Sequence, residues 1–251
     1  MRKDNKMRIT EKVTDIEYEE TRQFFKNRAE KFHEDNPYSV TMYQDNNKKL
    51  VRARNEREVE KLYPFLKLTS NSCVLDIACG IGRWADAIKI DIKKYSGFDF
   101  SRELVEIANK RNIRNNFSFC EGDVKEVENI LLSKKEGKYN TILVIGILMY
   151  LNDGDLLDVL GQIERSCDVH AIICIREPLG INNRLTLKND FSEELQDNYN
   201  AIYRTREELM EFLDNSFLAK GFLVRNEGFL FDEDSLNNRK ETAQYYYILE
   251  R

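Results

Sequence analysis

With 251 residues, 41% of them hydrophobic, the chain is long enough for one large domain, or one domain with an appendage, and its core needs no disulfide or metal staple. Thirty-nine basic and 44 acidic side chains leave a formal charge of −5, which repels a phosphate backbone and argues against nucleic acid as a partner. The five cysteines (Cys73, Cys79, Cys120, Cys167 and Cys174) are odd in number and lack metal-ligand spacing, so they read as free core thiols in a reducing compartment. The charged start, Met1 to Thr14, has no apolar signal segment, and the longest apolar run, Ile142 to Leu151, is about half of what a bilayer requires. A cytoplasmic protein without a membrane span is expected.

In chain order, Thr14 and Glu17 have capping-box spacing, and Tyr18, Phe25, Ala29 and Phe32 follow at helical steps. His33 to Asn47 is polar with scattered aromatics and a proline, and reads as a loop. A second helix is predicted over about Lys48 to Leu62, its interleaved basic and acidic residues forming a solvated face. Residues 1–70 are therefore expected to form an N-terminal helical cap, and residues 71–251 the core of a single domain.

From Cys73 onward, short apolar runs alternate with helical patterns. Strands are predicted over Cys73 to Ile77, Tyr95 to Phe98, Asn116 to Cys120, Thr141 to Ile145 and Val169 to Ile175. Amphipathic stretches lie between them, so the pattern implies a mostly parallel α/β sheet covered on both faces. The last third begins with a helix capped by Thr205 and Glu208, then presents Phe222 to Phe231 and Ala243 to Glu250 as an antiparallel pair at the sheet edge.

The most informative segment is Val74-Leu75-Asp76-Ile77-Ala78-Cys79-Gly80-Ile81-Gly82-Arg83-Trp84. An apolar strand ends in small residues and enters a helix, so backbone can approach a ligand where a Cβ would obstruct it. Close packing of helix on strand, without a ligand, is the alternative. The spacing is not the dinucleotide G-x-G-x-x-G. It is similar to the D/E-x-G-x-G-x-G signature of class I S-adenosylmethionine-dependent methyltransferases, with Asp76, Ala78, Gly80 and Gly82 at the marked positions and Ala78 departing from the usual glycine. Three later segments resemble that family in order: Gly97-Phe98-Asp99-Phe100-Ser101, Glu121-Gly122-Asp123-Val124, and Tyr139 to Tyr150.

The resemblance implies a Rossmann-like seven-stranded sheet, mostly parallel with an antiparallel last strand, helices on both faces and an N-terminal helical lid. It implies S-adenosylmethionine as methyl donor, held by Asp76, Ala78, Cys79, Gly80, Gly82 and Trp84 at the bend. Asp99 would accept from the ribose hydroxyls, Phe100 would lie on adenine and Ser101 would cap the next helix. Gly122, Asp123 and Val124 would meet the adenine edge, and Ile145 and Gly146 the cofactor's amino group through their backbone. An Asp at a strand end also serves as a plain helix cap, so Asp99 and Asp123 each carry that alternative.

Methyl transfer from a sulfonium is a displacement that mainly needs the nucleophile in line; a base adds rate where the acceptor is a hydroxyl. No base stands out. His33 falls in the segment expected to close over the cofactor, and Glu177 follows the fifth strand; a surface histidine and a loop salt bridge are their simpler readings. His170, at the head of a strand, reads as structural. Tyr43, Met149 and Tyr150 are candidates to border the acceptor, with core packing as the alternative for the last two, while Tyr38, Tyr43 and Trp84 would shield the sulfonium or form an aromatic cluster. The absence of a [DN]-P-P-[FY] tetrapeptide after the fourth strand, and of a Pro-Cys pair, disfavours nucleobase acceptors. The expectation is a monomeric or homodimeric methyltransferase for a small molecule, such as a sugar or glycan-pathway metabolite, at oxygen or nitrogen. A catalytically silent, protein-binding member of the fold is the alternative.

Overall fold

The computed structural model describes residues 7–42, 47–135, 137–193, 195–232, 234–237 and 239–251. Tyr43 lies outside these residues. The central sheet has seven strands: β2 (Cys73–Ile77), β3 (Lys94–Asp99), β4 (Phe117–Glu121), β5 (Tyr139–Ile145), β6 (Cys167–Gly180), β9 (Leu223–Phe229) and β10 (Thr242–Glu250). Their spatial order is β4-β3-β2-β5-β6-β10-β9. Every pairing from β4 to β6 is parallel, and β10 runs antiparallel to both β6 and β9, as expected of this fold. All five expected parallel strands are present: β2 has the expected bounds, β4 is shifted by one residue, and β3, β5 and β6 run longer than their apolar runs.

Alternation along the strands builds two cores. Leu75, Ile77, Ile142, Val144, Ile173 and Ile175 enter one cluster, shared with α7 (Asp153–Ser166) and α8 (Arg206–Ser216). Their neighbours Val74, Leu143 and Cys174 enter the other, which includes Leu62 of α3 (Lys48–Leu62) and Trp84 of α4 (Arg83–Ala87). This is the period-two logic of a sheet buried on both faces. Because β2 and β5 are neighbours although β3 and β4 follow β2 in sequence, the strand order reverses between them. A crevice therefore opens between the loops that leave their carboxyl ends.

The N-terminal segment differs from expectation. It contains a strand, β1 (Met7–Thr10), as well as α1 (Tyr18–Glu30), α2 (Ser39–Met42) and α3. β1 pairs with β7 (Leu185–Ser192), which pairs with β8 (Asp197–Tyr203), giving a second, antiparallel sheet inserted between β6 and α8. The capping box at Thr14 does not form: α1 starts at Tyr18, and Glu17 at its N-cap makes no side-chain cap. Asn152 instead clasps the entering chain, accepting from Ile16 N at 2.9 Å and donating to Ile16 O at 3.1 Å. The fully buried Arg28 of α1 donates to the carbonyls of Ser39 (2.5 Å) and Val40 (3.3 Å), and so fixes α2 against α1.

Candidate active site

The bend after β2 is built by left-handed backbone: Ala78, Gly80 and Gly82 have φ of 57°, 53° and 75°. Ala78 holds this conformation against its own Cβ, at a cost of about 1–2 kcal/mol. One backbone and one side-chain acceptor of the neighbouring strand secure the loop. Cys79 N donates to Phe98 O at 2.9 Å, and Gly80 N donates to Asp99 Oδ2 at 2.9 Å. The other oxygen, Asp99 Oδ1, accepts from Ser101 N at 2.9 Å, and the Asp99 carbonyl accepts from Gly122 N at 2.9 Å. One continuous run of hydrogen bonds thus joins the bend, Asp99 and the segment that carries Asp123. Ser101 caps α5 (Arg102–Arg111) by accepting from Leu104 N.

Burial pushes the Asp99 carboxyl up to about 6, with the Ser101 and Gly80 amides pulling the other way. Burial also pushes Asp76 up to about 7, opposed by the Tyr95 hydroxyl that donates to it and by Arg83. Asp76 is thereby occupied within the sheet.

The three small residues serve different ends. A Cβ on Gly82 would come within 3.2 Å of the Phe119 ring and one on Gly122 within 2.4 Å of Ile130, so both answer to helix and strand packing. At Gly80 the nearest atom, at 2.9 Å, is Thr41 Cγ2 of α2, and Thr41 lines the main cavity. Gly80 is therefore the position where the bend meets the cleft.

On the other side of Asp99, Phe100, Asp123 and Val124 line a small cavity with Arg22 and Tyr150. Asp123 caps the single turn that follows it, accepting from Lys125 N at 2.9 Å, and its second oxygen is ion-paired with Arg22. The Arg22 guanidinium also lies 5.2 Å from the centre of the Phe100 ring. The two groups expected at adenine are thus bridged by one arginine of α1.

The main cavity, about 120 Å³, lies beyond the end of β5. Ile145, Gly146 and Met149 line it, together with Arg54 and Glu58 of α3, Arg176 of β6, Tyr199 and Tyr203 of β8, and Arg239 and Gln244. Glu58 is buried and paired on both sides, 2.5 Å from Arg83 Nη2 and 3.1 Å from Arg176 Nε, and accepts from the Trp84 indole at 3.1 Å. The turn after β5 is fixed from two directions. Glu177 accepts from the amides of Ile147, Leu148 and Met149 at 2.8, 2.9 and 3.2 Å, while Arg204 donates to the carbonyls of Leu148 and Leu151 at 2.9 and 2.7 Å. The Tyr150 hydroxyl meets that of Tyr199 at 2.9 Å, linking the small cavity to the large one.

Several expected site residues stand elsewhere. Glu177 is buried and spends its carboxylate on the three amides, so it shapes the turn and does not face the cavity; burial pushes it up to about 7. His33 is exposed and lines neither cavity, and His170 is exposed at the start of β6. Trp84 and Cys79 are buried in the α3 side of the core, and Tyr38 donates to Asp86 at 2.9 Å. Arg54, Glu58, Arg176, Arg204 and Arg239 were not expected. Their partners are far away in sequence, and periodicity carries no trace of such pairs.

Residues 74–168 match the family model described as "Methyltransferase domain". Phosphoethanolamine N-methyltransferase 1 of Haemonchus contortus, solved with phosphoethanolamine and S-adenosylhomocysteine, is similar in structure: 18% identity, TM-score 0.66, 94% of this chain and 50% of that one. This chain thus spans half the length of that enzyme. An S-adenosylmethionine-dependent methyltransferase of Mesorhizobium loti gives 12% identity, TM-score 0.56 and coverage of 78% and 98%. Magnesium protoporphyrin IX methyltransferase of Synechocystis, with bound S-adenosylmethionine, gives 14%, 0.53, and 80% and 82%. A search of curated proteins finds no match. The architecture is that of the class I S-adenosylmethionine-dependent methyltransferases. Residues 74–168 match a methyltransferase domain, in line with the enzyme type that the sequence motifs imply.

Proposed function

We propose that the chain transfers the methyl group of S-adenosylmethionine directly to a small-molecule acceptor held in the main cavity. The observation that carries this reading is the hydrogen-bonded run from Gly80 through Asp99 to Gly122, which opens beside a cavity edged by Gly146 and Met149. The Asp99 carboxylate would hold the ribose hydroxyls, Phe100 and the segment 122–124 the adenine, and the backbone of Ile145 and Gly146 the amino group. The segment 1–70 serves as the cap, with Thr41 over Gly80. The one carboxylate among the described residues lining the main cavity, Glu58, is locked between two arginines. A nitrogen nucleophile, which needs only its lone pair, fits this better than a hydroxyl that must lose a proton. Positioning in the cavity then supplies most of the rate.

Calorimetry with S-adenosylhomocysteine is the test: micromolar binding by the wild type and its loss in Asp99→Ala are expected, and no binding by the wild type would sink the proposal. The same engaged carboxylate favours a second reading, a silent methyltransferase-like subunit. Release of S-adenosylhomocysteine with any member of a metabolite panel would exclude that alternative.

A further inference from the structure

We propose that the acceptor is an anion, and that Arg239 and Arg176 receive its phosphate or carboxylate; this rests on the methyltransferase reading above. The chain carries a formal charge of −5, yet three guanidinium groups and one carboxylate are found among the described residues lining the cavity. That carboxylate, Glu58, is shared with Arg83 behind the wall, so Glu58, Arg83 and Arg176 together keep one positive charge. The Arg176 side chain is only 12% exposed, and its Nε sits 3.1 Å from Glu58 without hydrogen-bonding alignment. Its Nη1 donates to Gln244 at 3.2 Å and lies where a Cβ on Gly146 would be, 2.7 Å away. Gly146, with φ of 71°, lets this guanidinium reach the cavity at the mouth of β5.

Arg239 is aimed by β8: its Nη1 donates to the Tyr203 hydroxyl at 2.9 Å. Guanidinium stays charged at any working pH and presents paired donors to an oxyanion, and partial burial strengthens that attraction. Placement agrees with the chemistry. The bend lies on the β2 side of β5, whereas Arg239 precedes β10, on the opposite side. An acceptor anchored there by its charge points its other end, the nucleophile, toward the methyl donor.

The test titrates inorganic phosphate, or acetate for the carboxylate arm, into protein saturated with S-adenosylhomocysteine, against chloride at equal ionic strength. The bound product already satisfies its own carboxylate, so any further stabilisation reports a second anion site. Expected are millimolar saturation by phosphate or acetate and at least tenfold weakening in Arg239→Gln, with product affinity within twofold of wild type. Tyr203→Phe, which removes the hydroxyl that aims Arg239, should weaken the anion by a smaller factor and serves if Arg239→Gln does not fold. Normal product binding with no effect of either anion beyond chloride would overturn the anionic acceptor and leave the methyltransferase reading intact. An anion effect unchanged in both variants would place the anion elsewhere and also overturn it. Failure to bind the product would remove the underlying reading.

Discussion

At the β2–β3–β4 end of the cleft, the groups that meet are backbone amides and carbonyls arranged around one carboxylate, Asp99, and all arise within a few residues of a strand end. At the β5–β6–β10 end, they are long charged side chains drawn from α3, β6 and the segment before β10, with two tyrosines of β8 beside them. The first end is cheap to specify, because small residues and a strand terminus suffice to expose backbone. The second depends on buried arginine and glutamate pairs, whose desolvation must be offset by geometry. The difference separates a site that can be shared across many acceptors from one that has to be rebuilt for each.

The largest effect should come from Glu58→Ala. It leaves Arg83 and Arg176 facing each other in a buried position, and breaking such a pair costs about 3–5 kcal/mol. Thermal unfolding should fall by roughly 2–4 °C per kcal/mol in a chain of this size. An unchanged melting temperature would mean that the acceptor end is not organised around this carboxylate. Glu177→Ala comes next, since three buried amides lose their acceptor at about 1–3 kcal/mol for each group left unsatisfied. Water entering the space would offset much of that, so a few kcal/mol in chemical denaturation is expected. Glu177→Gln, which keeps one acceptor oxygen, should recover part of it. A variant with full stability but no activity would instead return Glu177 to the role of base.

Asp99→Asn probes the other end and should weaken S-adenosylhomocysteine by about ten- to a hundredfold, as expected for hydrogen bonds to a charged group worth about 1.5–3 kcal/mol. Its pH dependence is more telling. Burial raises the folded carboxyl to about 6, so its contribution to stability is fully present below the unfolded value near 4 and is lost as pH rises through 6. Ribose hydroxyls donate to the ionised form, so product affinity in the wild type should fall as pH drops below about 6, approaching tenfold per pH unit. In Asp99→Asn that slope should vanish. Calorimetry between pH 5 and 8 measures both, and a wild-type profile as flat as the variant's would remove Asp99 from the ribose.

The candidate residues of the first end were legible as local sequence features, whereas at the second end Ile145, Gly146 and Met149 were expected and the charged side chains were not. Asp76, Gly80, Asp99 and Asp123 were singled out because each lies near or just beyond the end of a strand, where local chemistry decides the structure. β7 and β8 escaped because their pairing shifts register between Leu187 and Asp190, with Asn189 at φ 50°, and this breaks the alternation that marks a strand. The same Thr-x-x-Glu signal succeeded at Thr205, where both bonds of the capping box form, and failed at Thr14. There the clasp of Asn152 on Ile16 satisfies the backbone from a distance. Arg54 and Arg239 had no local signature: Arg54 bonds to the carbonyl of Leu236, and Arg239 to a tyrosine of the inserted sheet.

The smallest expected effect has the opposite sign. Arg22 pairs with Asp123 and lies over Phe100, the two side chains proposed to meet adenine. A nucleobase entering between them must displace the guanidinium, and its side chain is 41% exposed, so the ion pair given up is a surface one worth about 0.2–1 kcal/mol. Arg22→Ala removes that competition and should tighten S-adenosylhomocysteine by roughly 1.5- to 5-fold, the factor that follows from this energy. The gain should shrink as salt rises, because screening already weakens the pair in the wild type. Arg22→Lys, which keeps the charge but not the planar fork, should fall between the two. Weaker binding in Arg22→Ala would mean that the arginine stays in place as a wall of the adenine site, making this end of the cleft as dependent on long side chains as the other.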